Sequence, residues 1–351
     1  MEETRREFLD DLLDAATPSG FEASGQRRWV AYVERFADEV RTDAYGNAVA
    51  VLEGGDTEVA IAGHADEIGF MVRDIEENGT IRMTPIGGSD RTVSKGQHVR
   101  VHTDDGPLPG VIGQTAIHLR DRDEESVEDI DEQYVDVGVD DAGAAAELVD
   151  RGDPITVDQT VTELRNGRIA ARGLDNRIGV WAAAEGLRRA AERDATATVY
   201  AVSTVQEEIG LQGAKMVGFD LAPDAVVAVD VTHATDVPVP TGRKTGVELG
   251  EGPVIARGSA NHPGVVAAAR EVAADAGIDV QLEAAGSRTS TDADAFYTAG
   301  GGIPSLSLGV PNRYMHTPVE VLDRDDLDAA ATLLGAFAAA ADEFAFDVGI
   351  C

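Results

Sequence analysis

Histidines and carboxylates gather in five short segments of the chain, and these residue types can bind metal ions. In chain order the segments are GHADEIG (63–69), GLDNRIG (173–179), VQEEIG (205–210), VDVTH (229–233) and RYMHTP (313–318). Imidazole nitrogens and carboxylate oxygens form a ligand set suited to Zn, Co or Mn. Two such ions that share a carboxylate lower the pKa of bound water and polarise a carbonyl oxygen. The segments therefore predict a metal centre, and a pair of ions there would suit hydrolysis.

Each segment taken alone also has an ordinary structural interpretation. Glu207 and Glu208 suit the positive N-terminal end of a helix, and Asp175 and Asn176 are alternative N-caps for the helix that follows them. Asp230 is harder to explain in this way, because a carboxylate at the end of an apolar strand needs a partner. The five segments together favour the metal site.

The elements that must position these residues predict an α/β fold. Four continuous apolar runs are expected to be strands of a mainly parallel sheet: Val59–Ala62, Val199–Val205, Ala225–Val229 and Ser305–Val310. Each is followed by one of the five segments, and ligands of open α/β sheets bind at the carboxyl ends of the strands. The segment at Asp175 instead begins a helix. We therefore expect all five segments to meet at one edge of the sheet.

Helices are predicted to cover the sheet, and a segment with the sequence pattern of short β-strands interrupts the α/β pattern. The helices include Gln26–Glu39, Pro263–Ala276 and Leu327–Phe344. From Phe70 to about Glu163, short alternating segments are separated by turn signals such as Asn78-Gly79 and Gly87-Gly88. We predict a small, barrel-like β domain over residues 70–165. It is inserted into a catalytic α/β domain formed by residues 1–69 and 166–351.

Local spacing predicts that the acidic residues have different roles. Adjacent side chains in extended backbone point in opposite directions, so one of Glu207 and Glu208 can bind metal while the other faces the substrate. The free carboxylate would move a proton from water to a leaving amine. Asp66 lies two residues beyond His64, where it can accept the second imidazole N–H and set the tautomer.

The five segments in this order resemble the tetrahedral, dinuclear-metal aminopeptidases of the glutamyl or deblocking aminopeptidase type. The resemblance extends to TPSGFE (17–22), DAYGN (43–47) and the insertion, and so covers nearly the whole chain. It implies two divalent metal ions per chain, with zinc the expected metal. It also implies short peptides as substrates, and a hollow dodecamer of this one chain in which the inserted domain makes dimer contacts.

The same resemblance implies the metal ligands. Asp175 would bridge the two ions, His64 and Asp230 would complete one site, and Glu208 and His316 would complete the other.

The remaining roles are implied in part. Glu207 would be the general base, and Asp66 would orient the histidine. Asp292, in a loop that resembles one near the family's site, has two open interpretations: it contacts the substrate's amine, or it caps a helix. The other five histidines are expected to be structural or at the surface.

Charge sets limits on the partners and the environment. The 351-residue chain carries 64 Asp+Glu against 29 Lys+Arg, a formal charge of −35, and only three of the basic residues are lysines. Phosphate backbones and anionic lipids would repel such a chain, so nucleic acid and membranes are not expected as partners. Concentrated salt screens the self-repulsion, and the composition therefore favours a salt-adapted, cytoplasmic protein. The N-terminal segment is acidic and amphipathic, unlike a signal peptide.

Three other functions are compatible with parts of the pattern. A glycoside hydrolase needs paired carboxyl groups about 5–9.5 Å apart, but two tryptophans and 5% aromatic residues leave little surface for stacking on sugars. A metal-dependent carboxypeptidase or small-molecule deacylase could use the same ligands. A non-enzymatic shell protein would keep the fold but would not need Glu207.

Overall fold

The computed structural model describes residues 2–120, 126–240 and 242–350, so residues 121–125 of the predicted insertion lie outside the described chain. The described α-helices are α1 (Glu3–Asp14), α2 (Ala23–Val33), α3 (Arg91–Ser94), α4 (Ala142–Ala146), α5 (Leu174–Glu192), α6 (Gln212–Asp220), α7 (Pro263–Ala276), α8 (Asp292–Phe296) and α9 (Arg324–Ala339). The strands up to the end of the insertion are β1 (Glu39–Thr42), β2 (Ala48–Leu52), β3 (Glu58–His64), β4 (Gly69–Ile75), β5 (Ile81–Ile86), β6 (His98–Thr103), β7 (Gly106–Ile112), β8 (Tyr134–Asp136), β9 (Pro154–Val157) and β10 (Thr162–Glu163). The later strands are β11 (Arg168–Ala171), β12 (Thr198–Thr204), β13 (Ala225–His233), β14 (Val254–Arg257), β15 (Gln281–Ala284), β16 (Ser305–Asn312) and β17 (Glu320–Asp323).

A mixed eight-stranded sheet forms the larger layer of the molecule. Its strand order is β1-β2-β12-β3-β13-β16-β14-β15. The central strands β12, β3, β13 and β16 run parallel to one another, so their carboxyl ends lie at the same edge. The outer pairings β1–β2, β2–β12 and β14–β16 are antiparallel. A further small sheet joins β10, β11 and β17.

Apolar residues cover both faces of the large sheet, which explains the continuous apolar runs in its strands. Val59 and Ile61 of β3 pack in one core with residues of α1, α2, α5, α7 and α9. Ala60 and Ala62 of the same strand pack in a second core with residues of α6 and α8. Successive side chains of a strand point to opposite faces. A strand that is buried on both faces therefore does not show the alternation of polar and apolar residues that a strand with one exposed face shows.

The segment between β3 and β10 forms a closed six-stranded barrel. Its strand order is β4-β5-β8-β7-β6-β9, and β9 closes the ring by pairing with β4. The barrel has an apolar core of its own, in which Ile81, Met83, Val101 and Ile155 are fully buried. The predicted fold class, an α/β sheet covered by helices with a small β barrel, is confirmed. The division into two domains at residues 70 and 165 stays a prediction.

Two local predictions were wrong. The helix predicted over Gln26–Glu39 ends at Val33, and Glu39 begins the edge strand β1. Pairing with β2 competes with the helical pattern here, since the backbone N–H of Asp38 already donates to the carbonyl of Val51 at 2.8 Å. The segments Asn47–Leu52 and Val59–Ala62 follow one another in the chain and are predicted as a pair of strands, but β12 lies between them in the sheet. Among the described residues, no helix is both long and apolar enough to cross a membrane.

Candidate metal centre

The carboxyl edge of the parallel strands brings four of the predicted segments together. His64 is the last residue of β3, and Glu207 and Glu208 follow the end of β12. His316 follows β16, the strand on the other side of β13. Asp230 lies inside β13, which continues to His233, so the expectation that it would follow its strand was wrong.

The fifth segment reaches the same place because α5 approaches the sheet unusually closely. A Cβ on Gly63 would lie 2.4 Å from the backbone carbon of Gly179, so only glycine allows this approach of β3 and α5. Asn176 accepts a hydrogen bond from the N–H of Gly179 at 3.0 Å and therefore caps the regular part of the helix. Asp175 has non-helical φ and ψ. Its carboxylate is not used as a cap and is free to face the strands.

Asp175 lies between the two histidines and presents one oxygen to each. Its Oδ1 is 3.3 Å from Nε2 of His64, and its Oδ2 is 3.3 Å from Nε2 of His316. Asp230 Oδ1 lies 3.8 Å from the first histidine, and Glu208 Oε1 lies 3.6 Å from the second. The five predicted ligands thus form two groups of three that share Asp175. In each group the ligand atoms lie within 4.8 Å of one another.

Glu207 lies beside both groups. Its Oε2 is 3.8 Å from Nε2 of His64, and it also forms a third cluster with His64 and Glu208. The expectation that Glu207 and Glu208 would diverge holds only in part, since both residues line the same cavity. Geometry alone therefore leaves Glu207 close enough to act either as a ligand or as a base.

The charges of the site are unbalanced. Burial raises the pKa of Glu207 to about 10 and the pKa of Glu208 to about 8. A hydrogen bond to Asp175 raises the pKa of His316 to about 9. Burial alone would raise the pKa of Asp175, but the two histidines hold it below its ordinary value. If all four carboxyl groups are ionised, two imidazoles balance only part of their charge, so this set of residues fits divalent cations.

Asp66 connects the first histidine to the loop that carries the two glutamates. Its Oδ1 lies 3.3 Å from Nδ1 of His64 and accepts the N–H of Glu207 at 2.9 Å. Its Oδ2 accepts the N–H of Glu208 at 3.1 Å and the hydroxyl of Ser19 at 2.6 Å. These contacts assign a structural role to the TPSGFE segment, for which the sequence offered none. One buried carboxylate therefore positions a predicted ligand and the predicted base together.

Sequence reasoning missed two groups that hold the second histidine. The buried carboxylate of Glu320 accepts the N–H of Asp175 at 2.9 Å and the N–H of His316 at 3.0 Å. The carbonyl of Gly88, in the loop that leaves barrel strand β5, accepts a hydrogen bond from Nδ1 of His316 at 3.2 Å. That contact leaves Nε2 facing Asp175 and Glu208. Glu320 lies four residues after His316, a spacing that sequence reasoning could have examined, whereas nothing local points to Gly88.

One of the two interpretations of Asp292, that it caps a helix, is wrong, and contact with a substrate amine stays a prediction. Thr291, not Asp292, caps α8 by accepting the N–H of Ala293. Asp292 is 3% exposed and is not among the residues that line the cavity at the site. Its Oδ2 accepts the hydroxyl of Thr204 at 2.5 Å.

The other five histidines lie outside the two ligand groups. His102 bonds to Thr156 within the barrel, and His262 precedes α7. His98 and His118 are exposed. His233 is exposed as well, but it lines the cavity that contains the predicted ligands.

The cavity has a volume of about 460 Å³, within the range of small-molecule sites. Five of its lining residues are the predicted ligands, and Glu207 lines it as well. From there it extends along β13, β16, β14 and β15. The cavity therefore leaves space for a ligand beside the predicted metal-binding residues.

Comparisons with known proteins agree with this arrangement. A family model described as M42 glutamyl aminopeptidase matches residues 46–333. The lysyl aminopeptidase of Pyrococcus furiosus is 36% identical over 326 residues, which is 92% of this chain and 93% of that protein. The TET aminopeptidase from a marine-sediment Thaumarchaeota archaeon has a TM-score of 0.91 at 30% identity, with 96% of this chain and 97% of that chain covered. The Pyrococcus horikoshii TET1 peptidase, described as assembling into a tetrahedron or a large octahedral shell, has a TM-score of 0.85 at 31% identity, with 95% and 99% covered.

Proposed function

This chain belongs to the M42 glutamyl aminopeptidase family and is an aminopeptidase, and from that premise we propose that it removes amino-terminal residues from short peptides at a dinuclear metal centre. The observation that carries the proposal is Asp175, which presents one carboxylate oxygen to each of two histidines, and these belong to or follow strands on either side of β13. A non-enzymatic shell protein, one of the alternatives above, is not compatible with the family.

The proposed ligands fall into two sets that share Asp175. His64 and Asp230 would hold one ion with it, and Glu208 and His316 would hold the other. Zinc is the metal we propose, with cobalt and manganese as alternatives, because the set combines imidazole nitrogens with carboxylate oxygens. When bound, such ions polarise the scissile carbonyl group and lower the pKa of water.

Glu207 is the proposed proton carrier. Its carboxylate lines the cavity beside the two ligand groups and is not needed to complete either of them. From that position it would take a proton from water and deliver it to the amine that leaves. Asp66 supports this role indirectly, since it holds the N–H of Glu207 and the imidazole of His64 at the same time.

A large homo-oligomer is the proposed working form. The barrel is the element that we propose for the dimer contacts, and the Pyrococcus horikoshii relative is described as forming closed shells. The excess of 64 Asp+Glu over 29 Lys+Arg supports a salt-adapted, cytoplasmic enzyme. By sequence we place it with the glutamyl or deblocking group of these aminopeptidases, a grouping that does not fix which amino-terminal residue is preferred.

Two variants, compared with each other, test the proposal. Glu207→Gln should lower kcat by about 10²–10⁴-fold and leave two metal ions per chain, because the amide keeps the shape but cannot carry the proton. His316→Ala is the matched variant and should lose metal as well as activity. The measurements are metal analysis after dialysis and hydrolysis of aminoacyl anilides, with N-acyl amino acids and cellulose as control substrates.

Two outcomes would contradict the proposal. The role of Glu207 is falsified if Glu207→Gln keeps more than about a tenth of the wild-type rate. Loss of metal from Glu207→Gln, together with full occupancy in His316→Ala, would show that the ligand set is different. Hydrolysis of N-acyl amino acids in place of aminoacyl anilides would point to the deacylase alternative.

A further inference from the structure

The cavity at the proposed metal centre has an extension that the hydrolytic residues do not use. It runs along the floor made by β16, β14 and β15, where Ala256, Ser307 and Gly309 leave room for a substrate side chain. Outside the metal centre, the ionisable residues that line the cavity are His233, Glu283 and Arg288. Of these, Glu283 and Arg288 carry opposite charges. Their placement decides which kind of side chain this extension favours.

Glu283 is held in place at the wall of the extension. It lies on β15, opposite Ala256 of β14, and is partly buried. Its Oε2 accepts a hydrogen bond from the hydroxyl of Thr232 at 2.7 Å, although Thr232 belongs to β13 on the far side of β16. Thr232 lines the same cavity. The carboxylate is therefore oriented across the extension.

The charge of Glu283 has no partner within the protein. In the described parts of the chain, no arginine, lysine or histidine nitrogen lies within 4.0 Å of its carboxylate, and its one hydrogen-bond donor is a neutral hydroxyl. A partly buried carboxylate in this state is stabilised by a cation that enters the cavity. The extension thus carries an acceptor for an ammonium or guanidinium group.

Arg288 supports the opposite preference only weakly. It lies in the loop after β15, it is exposed, and it also lines a second cavity. Water and salt screen an exposed charge of this kind, particularly for a protein that we expect to work in concentrated salt. Glu283, which is less exposed and is held by Thr232, should therefore dominate the selection.

We propose that this aminopeptidase prefers substrates whose amino-terminal residue is lysine or arginine, with Glu283 pairing with the cationic side chain. This inference rests on the proposed function, because it places the first residue of the peptide beside the metal centre. In the bound state the carboxylate keeps the hydroxyl of Thr232 on one oxygen and accepts the cationic group on its remaining lone pairs.

The experiment compares kcat/KM for lysyl, arginyl, leucyl and glutamyl anilides at the salt concentration where the enzyme is assembled. The wild-type enzyme should favour lysyl and arginyl over leucyl substrates by about tenfold or more. Glu283→Gln, which can still accept the hydroxyl of Thr232, should lower kcat/KM for the two cationic substrates by about 10–100-fold, mainly through KM. It should change the leucyl rate less than twofold.

A matched control removes a nearby charge that does not face the cavity. Glu248 is exposed, lies close to β15 through its backbone contact with Gln281, and does not line the cavity. Glu248→Gln should leave the ratio of lysyl to leucyl hydrolysis unchanged. A fall in this ratio equal to that of Glu283→Gln would assign the preference to overall charge and overturn the proposal.

Further outcomes separate this inference from the proposed function. If leucyl anilide is hydrolysed well and Glu283→Gln leaves the ratio unchanged, the inference fails while the aminopeptidase activity stands. A series of leucyl dipeptides with a varied second residue shows whether Glu283 instead selects that position, which would also overturn the proposal. If metal-loaded enzyme hydrolyses none of the anilides, the proposed function itself fails.

Discussion

A single methyl group on Gly88 should weaken the second of the two proposed metal sites from within the barrel. An ideal Cβ at this position would lie 2.8 Å from Nδ1 and 3.0 Å from Cε1 of His316. Ordinary van der Waals contact begins at 3.4 Å, so the ring or the loop must move by about 0.6 Å. The φ angle of Gly88 is not in the left-handed region, so alanine adds no backbone strain. The steric contact with the histidine is the main effect.

A displacement of this size exceeds the tolerance of a catalytic site, which is about 0.5 Å. It also lengthens the 3.2 Å hydrogen bond from Nδ1 of His316 to the carbonyl of Gly88. Loss of an outer contact to a histidine ligand typically lowers metal affinity by about 10–100-fold, or roughly 1.4–2.8 kcal/mol. We expect Gly88→Ala to lose one of the two proposed ions at limiting metal and to recover activity when metal is added in excess.

The assay is metal titration of the metal-free variant, followed by both bound metal and hydrolysis of an aminoacyl anilide. Gly301→Ala is the matched control, because this glycine has an ordinary φ and its new Cβ would meet nothing within 4 Å. Wild-type affinity for both ions in Gly88→Ala would refute the reasoning. Equal loss of both ions together with a lowered unfolding midpoint would also refute it, since the effect would then be on folding.

Two further predictions concern stability and assembly. Burial alone would raise the pKa of Glu67, but ion pairs with Arg172 and Arg177 hold it below its ordinary value. Glu67→Gln should therefore lower the free energy of unfolding by about 3–5 kcal/mol at pH 7. The difference in stability from the wild-type protein should disappear as the pH falls through the lowered pKa of Glu67. Denaturant titrations at several pH values measure this difference. Each chain has a formal charge of −35. On dilution from multimolar salt to below a few tenths molar, repulsion between the chains should dissociate the oligomer before the chains unfold. Light scattering and circular dichroism on one salt titration check this order, and simultaneous loss of both signals would contradict it.

The strands and most helices were predictable because their signal is local. A run such as Ser305–Val310 is apolar at every position, and a strand covered by helices on both faces has that composition. The end of α2 was not predictable in this way. The residues after Val33 could continue a helix, and the pairing of Glu39–Thr42 with β2 decides against it. Competition between local propensity and tertiary pairing is invisible in the sequence pattern.

The chemistry of the proposed site was also predictable, since residue type and the ends of apolar strands are both recorded in the sequence. His64, Glu208 and His316 belong to segments spread over some 250 positions, and the rule that parallel strands end at one edge was enough to bring them together. The sequence alone does not decide whether Asn176 or Asp175 caps the helix. The hydrogen bond from Gly179 decided between them.

By itself, the sequence determined which residues could bind metal, which strands present them, and that a β segment interrupts the sheet. The tertiary structure decided which groups support them. The carbonyl of Gly88 touches His316 although 228 positions separate the two, and Glu283 meets Thr232 across two intervening strands. Backbone carbonyls carry no residue identity, and a glutamate on an edge strand looks like any other surface acid. Contacts of this kind depend on how closely folded elements approach, which no local pattern records.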